Sequence, residues 1–111
     1  SPSARVGIDV EPAAMRLPVA LTESERGLLV SGAGSDALFW CAKMAAAKAT
    51  GLGLGGDPAN AEIVASVPET GILAVLLRGP LAGAGDNAIH VHVQRRGEFV
   101  WAWTLGERAG T

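Results

Sequence analysis

Asp9 and Glu11 stand two residues apart in the stretch Gly7-Ile8-Asp9-Val10-Glu11. On an extended strand both side chains point the same way, separated by roughly 6.5–7 Å of rise. Two carboxylates so placed can reach toward one hard cation, or flank it through water as Mg²⁺ prefers. A solvated strand face would carry the same residues, so the pair alone leaves both readings open. A second group is Lys43 and Lys48 with Gly51, Gly53, Gly55 and Gly56. Lysines beside a Gly-rich loop can pin phosphates by charge and backbone N–H groups. The GxGxGG run is no dinucleotide fingerprint, because it follows a helix, whereas the fingerprint lies between a strand and a helix start. A helix C-terminus carries negative dipole, so an anion there would depend on the lysines.

Other chemistry-bearing residues give weaker signals. His90 and His92 alternate with Ile89, Val91 and Val93, which puts both imidazoles on one strand face. No third ligand presents itself, and Zn²⁺ wants at least three, so a polar sheet face or a subunit contact is the simpler reading. Trp101 and Trp103 also share a face and read as packing or interface anchors. Cys41 lies on an apolar helix face, where a small buried residue is expected. No Ser/His/Asp or Cys/His arrangement is evident.

The lysines must sit on a helix running from a Ser35 or Asp36 N-cap to Gly51. Ser or Asp can cap a free first-turn N–H, and Gly tolerates the left-handed closing conformation. The interior is rich in Ala, Lys, Leu and Met, all good helix formers. Leu38, Cys41, Met44 or Ala45, and Lys48 form one stripe at helical spacing, with both lysines expected to be solvated. The carboxylates belong to a strand over Arg5–Glu11, where Val6, Ile8 and Val10 alternate with Gly7, Asp9 and Glu11 in the period of a half-buried strand. Pro12 and Pro18 bracket an irregular connection. Thr22 and Glu25, three apart, form a capping box that opens a short helix through about Val30.

Asp57-Pro58 marks a turn, followed by four expected strands: Glu62–Val67, Gly71–Arg78, Ile89–Arg95 and Glu98–Leu105. Close connections at Pro68–Gly71 and Arg96-Gly97 make neighbours antiparallel. The expected fold is α+β, two helices packed on one face of a largely antiparallel sheet.

The 111 residues suit a single domain over 1–111, long enough for a modest core. With 49% apolar residues the chain is globular, and so small a domain often buries part of that surface against a partner. A net charge of −2 without a basic block argues against nucleic acid. The lone Cys41 excludes an internal disulfide. No signal peptide or bilayer-length apolar run is present, so no membrane association and a cytoplasmic location are expected. The opening Ser-Pro-Ser without an initiator Met fits a fragment or a processed end.

Two stretches together resemble the 4′-phosphopantetheinyl transferases. Gly7-Ile8-Asp9-Val10-Glu11 is similar to that family's GIDxE-like strand. Trp40-Cys41-Ala42-Lys43-Met44-Ala45-Ala46-Ala47-Lys48-Ala49-Thr50-Gly51 is similar to its helix W-x-x-K-E-x-x-x-K-A-x-G. Leu21–Leu29 resembles the family's short helix before that signature, so the likeness covers about residues 5 to 56. In the C-terminal half only the strand pattern matches, and Gln94-Arg95 stands where the family often has a His.

The resemblance implies transfer of the phosphopantetheine arm of coenzyme A to a serine of an apo acyl or peptidyl carrier protein, as a holo-acyl-carrier-protein synthase does. It implies that Asp9 and Glu11 are catalytic and hold Mg²⁺ against the coenzyme A pyrophosphate. Lys48 would contact that phosphate and assist the leaving group, Lys43 would support the same anion, and Gly51 and Gly53 would border it. One departure stands out: the family's Lys-Glu is here Lys43-Met44, and a thioether is neither a Mg²⁺ ligand nor a proton acceptor. The resemblance also implies a single module that self-associates, a trimer being favoured, or a domain of a larger polyketide or fatty-acid synthase. A non-catalytic transferase-like module that docks carrier protein or assembles a synthase is the alternative.

Overall fold

The computed structural model describes residues 7–14, 21–30, 36–50, 58–67, 70–78 and 88–104. In chain order these form β1 (Ile8–Pro12), α1 (Glu23–Val30), α2 (Asp36–Thr50), a 3₁₀ turn (Pro58–Asn60), β2 (Ala61–Val67), β3 (Ile72–Leu77), β4 (Ala88–Arg96) and β5 (Phe99–Trp103). The strands make one antiparallel sheet in the order β1-β5-β4-β3-β2. Strands β2 to β5 pair in sequence, as consecutive strands with close connections do, and β1 closes the far edge by pairing with β5, so that Asp9 lies opposite Ala102. Two helices on an antiparallel sheet is the α+β arrangement expected from the sequence. Gly71 and Gly97 sit in the β2–β3 and β4–β5 turns at φ 67° and 58°, a left-handed conformation that glycine adopts without strain.

Helix α1 begins with the expected capping box. The Glu25 N–H donates to Thr22 Oγ1 at 3.1 Å and the Thr22 N–H donates to Glu25 Oε1 at 2.8 Å. Helix α2 lies across the sheet, most closely against β1 and β5, and is buried on more than one stripe. Its alanines 42, 45, 46, 47 and 49 are all buried, because their small side chains let the helix axis approach the strands closely. Phe39, Ile63, Val75, Val91 and Val100 fill the space beside them and form the centre of the core.

The structure departs from the expected one in three places. Pro12 does not begin an irregular connection but ends β1, opposite Phe99. An edge strand with a free N–H side tolerates proline. Lys43 is not solvated but buried among α2, α1 and β2, because Glu25 supplies a matching charge there. And β1 is half-buried the other way round from an ordinary amphipathic strand. Gly7, Asp9 and Glu11 turn toward α2, while Ile8 (54% exposed) and Val10 face outward. The expected start of this strand, residues 5 and 6, lies outside the described residues.

The outward face continues through antiparallel register. Ile8 stands opposite Trp103, Val10 opposite Trp101 and Pro12 opposite Phe99. Phe99 and Trp101 are exposed, and Trp103 stacks on His92 with ring centroids 5.6 Å apart. One sheet face therefore builds the core, and the other displays aromatic and aliphatic side chains.

Candidate functional site

Two backbone features bring β1 unusually close to α2. Gly7 has no side chain, and a methyl group there would overlap the carbonyl oxygen of Ala45 and come within 2.6 Å of the Ala49 nitrogen. The buried Cys41 thiol donates to the Asp9 carbonyl at 3.1 Å, with the Val100 carbonyl at 3.5 Å. Burial first, then the nearby Asp9 carboxylate, pushes this thiol up to about 12, so it stays protonated and a donor. Just before β1 the Gly7 N–H donates to Thr104 Oγ1 and the Thr104 N–H donates to the Gly7 carbonyl, both at 2.9 Å.

The close approach puts Asp9 against the last turns of α2. Lys48 donates from Nζ to Asp9 Oδ1 at 2.7 Å; its side chain is 48% exposed, while that of Asp9 is 6% exposed. The bond to Asp9 raises the Lys48 ammonium against the opposing pull of desolvation. The other carboxylate oxygen, Asp9 Oδ2, is buried and has no fixed donor. An oxygen of that kind is costly unless a cation or a proton meets it.

Glu11 lies on the same strand face. It is pushed up from 4.5 to about 7, chiefly by burial, then by the neighbouring Asp9 carboxyl, to which a protonated Glu11 can donate and whose charge repels an ionised one; Lys48 works the other way. Two carboxyl groups this close cannot both ionise cheaply unless positive charge joins them. The donor set fits a small hard cation. Two protein carboxylates, one with a free buried oxygen, leave the remaining positions to water and phosphate, which is how Mg²⁺ is usually bound. Among the described residues no group of three or more His, Cys, Asp or Glu gathers at metal distance, His90 and His92 included.

Of the residues singled out in the sequence, the fold therefore gathers Asp9, Glu11 and Lys48. Met44, half-buried, is one helical turn before Lys48 and shares its flank of α2. Lys43 lies apart from this group: its ammonium bonds Glu25 Oε1 at 2.7 Å, and neither side chain has any exposed surface. Gly51 and Gly53 lie outside the described residues. Sequence reasoning had Gly7 and Cys41 inside the two motifs but gave neither a role in bringing β1 to α2, and it did not place Glu25 or Thr104 near the site. Only the capping box pointed to Glu25, and it gave no hint of Lys43.

A family model described as the 4′-phosphopantetheinyl transferase superfamily matches residues 5–105. That span takes in both helices and the whole sheet. The chain belongs to this superfamily. The match extends the resemblance of the first half, about residues 5 to 56, to β2–β5, whose sequence offered only a strand pattern. Phosphopantetheine transfer in general comes with membership, and the family as a whole uses coenzyme A and Mg²⁺ and acts on carrier proteins. No curated protein matches the chain significantly. Among the described residues no helix is long and apolar enough to cross a membrane.

Proposed function

We propose that this phosphopantetheinyl transferase module moves the 4′-phosphopantetheine arm of coenzyme A to a serine hydroxyl of an apo acyl carrier protein, with Mg²⁺. The observation that supports this best is Asp9, a buried carboxylate with one oxygen on Lys48, the other free, and Glu11 beside it. Mg²⁺ bound by Asp9 and Glu11 would neutralise pyrophosphate charge. Phosphoryl transfer needs chiefly positioning and charge neutralisation from the protein. Lys48 supplies the charge: its half-exposed ammonium can turn from Asp9 to a phosphate once a cation takes its place on the carboxylate. Gly51 and Gly53 are proposed to border the coenzyme, just past the end of α2.

Met44 favours a second reading. It stands on the Lys48 flank where the family signature carries glutamate, and it offers neither an anionic ligand nor a base. Loss of a general base costs of order 10²-fold or more in rate. The second reading is a non-catalytic module that binds coenzyme A or carrier protein without transfer. Intact-mass spectrometry of an apo carrier protein with coenzyme A and Mg²⁺ separates the two, with Met44→Glu run in parallel. Arm transfer by the unmodified protein supports the enzyme, and transfer only by the variant supports a site disabled at one side chain. No transfer by either, with coenzyme A still bound, supports the docking module.

The module is taken to be one domain spanning 1–111, working in the cytoplasm and self-associating, a trimer being favoured. Exposed Ile8, Val10, Phe99 and Trp101 on the outward sheet face support association, since apolar patches of that kind mark interaction surfaces. Sedimentation of a strict monomer at tens of micromolar would remove that part of the reading.

A further inference from the structure

The Lys43–Glu25 pair lies outside the group around Asp9, yet it sits on the same helix. Glu25 is held from three directions. Oε1 accepts the Thr22 N–H at 2.8 Å and the Lys43 ammonium at 2.7 Å, and Oε2 accepts the Ile63 N–H at 2.8 Å. The register of β2 against β3 shifts between Ile63 and Ala65, at the place where this N–H turns to the carboxylate. One side chain thus ties α1, α2 and β2 together in a fully buried node.

Lys43 and Lys48 are five residues apart, so their side chains diverge by about 140° around the helix. Lys43 faces α1 and β2, and Lys48 faces β1. Between them the buried surface of α2 is mostly alanine, which keys a helix poorly against rotation because it has few side chains long enough to interlock. Side-chain tips lie about 5–6 Å from a helix axis, so a turn of about 20° moves them by about 2 Å. That displacement would undo the 2.7 Å contact of Lys48 with Asp9. The bare backbone at Gly7 sets how near β1 comes, and the Cys41 thiol on the Asp9 and Val100 carbonyls holds α2 at a point close to the sheet, about which its flanks still need fixing.

We propose that Lys43 is a positioning residue for the transferase site, acting through Glu25: their buried pair fixes the rotation of α2 and so holds Lys48 on Asp9. Lys43 then does not contact the coenzyme anion. The pair works because neither charge can be left unmatched there; with one partner gone, the flank opens to water and α2 turns. The effect on coenzyme A rests on the function proposed above, whereas the effect on Lys48 does not.

The test compares wild-type protein, Lys43→Met, and the double variant Glu25→Gln/Lys43→Met. Methionine matches lysine in length, and the glutamine side chain keeps an amide oxygen for the Ile63 N–H while both charges are removed, the Thr22 N–H alone losing its acceptor. Two quantities are read: nuclear Overhauser contacts between the Lys48 Cε protons and the Asp9 Cβ protons, and coenzyme A affinity by calorimetry with Mg²⁺. The single variant is expected to lose the Lys48–Asp9 contacts and to bind coenzyme A at least tenfold more weakly. The double variant is expected to regain the contacts and to bind within about threefold of wild type. A double variant that keeps the contacts but binds as weakly as Lys43→Met would overturn the proposal, because the charge of Lys43 would then be needed at the anion. Intact contacts in Lys43→Met alone would overturn it as well. If that single variant does not fold, the double against wild type decides by the same criteria. Wild-type protein that binds no coenzyme A removes the function reading, and the Lys48–Asp9 contacts still decide the role of Lys43.

Discussion

Replacing Gly7 by alanine tests the claim that β1 and α2 are set by backbone-to-backbone approach. The added methyl would overlap the Ala45 carbonyl oxygen and come 2.6 Å from the Ala49 nitrogen and 3.0 Å from the Ala45 carbonyl carbon. All three atoms are helix backbone, so no flexible side chain can swing away. Restoring ordinary contact at 3.4–4 Å requires β1 to withdraw by roughly 1.5 Å or more. Overpacking of that kind costs about 1–3 kcal/mol, and weakening the two Gly7–Thr104 hydrogen bonds adds about 1 kcal/mol. The sum, about 2–4 kcal/mol, is less than the roughly 5–15 kcal/mol typical of a domain, so the variant should fold at about 25 °C. Its site would not survive intact. Moving Asp9 by about 1.5 Å from Lys48 should lower the transfer rate by about 10²-fold or more. Urea unfolding with an unchanged slope gives the stability loss, and timed intact-mass spectrometry gives the rate, in the Met44→Glu background if the unmodified protein is inactive. A variant within about 0.5 kcal/mol of the parent, transferring at an undiminished rate, would refute the close-approach argument.

Other expectations follow from the same geometry. Lys48→Met leaves the buried Asp9 carboxylate without its partner; half-exposure of the lysine limits the cost to about 1–2 kcal/mol, measured by urea unfolding, and adding Asp9→Asn should recover most of it. Glu11 gives a pH dependence of unusual sign for a carboxyl group. Its pKa rises from 4.5 to about 7 on folding, so the folded state holds the proton more tightly. The stability this confers is complete below pH 4.5 and is lost as pH rises through about 7, so that without divalent cation wild type should lose about 1–2 kcal/mol relative to Glu11→Gln between about pH 4.5 and 8. Saturating Mg²⁺ should abolish the difference, and a wild type that gains stability over this range would contradict the placement of Glu11.

Local chemistry made much of this protein legible in its amino-acid sequence. Thr22 and Glu25 announced a helix start because a capping box is closed within four residues, and both of its hydrogen bonds are present. Helix α2 and the order of strands β2–β5 followed from propensity, periodicity and short turns, with boundaries differing by at most two residues. Asp9 and Glu11 had to share a face because strand side chains alternate, and the paired motif brought Lys48 into the same argument.

Which face they share was decided by tertiary structure alone. Alternation gives the two sides of β1 but not which one meets the helix; an ordinary core would have taken Ile8 and Val10. Gly7 and the alanines of α2 reversed that choice, because only the bare side of the strand can approach the helix backbone so closely. The two lysines show the same division. In sequence they are equivalent charges on one helix, five residues apart. Folding places one in a sealed node with Glu25 and the Ile63 N–H and leaves the other half-open beside Asp9. The partner that permits burial of Lys43 is 18 residues away, and the carboxylate that meets Lys48 is 39 residues away. Neither pairing has a local signature, since each depends on where α1 and β1 come to rest against α2.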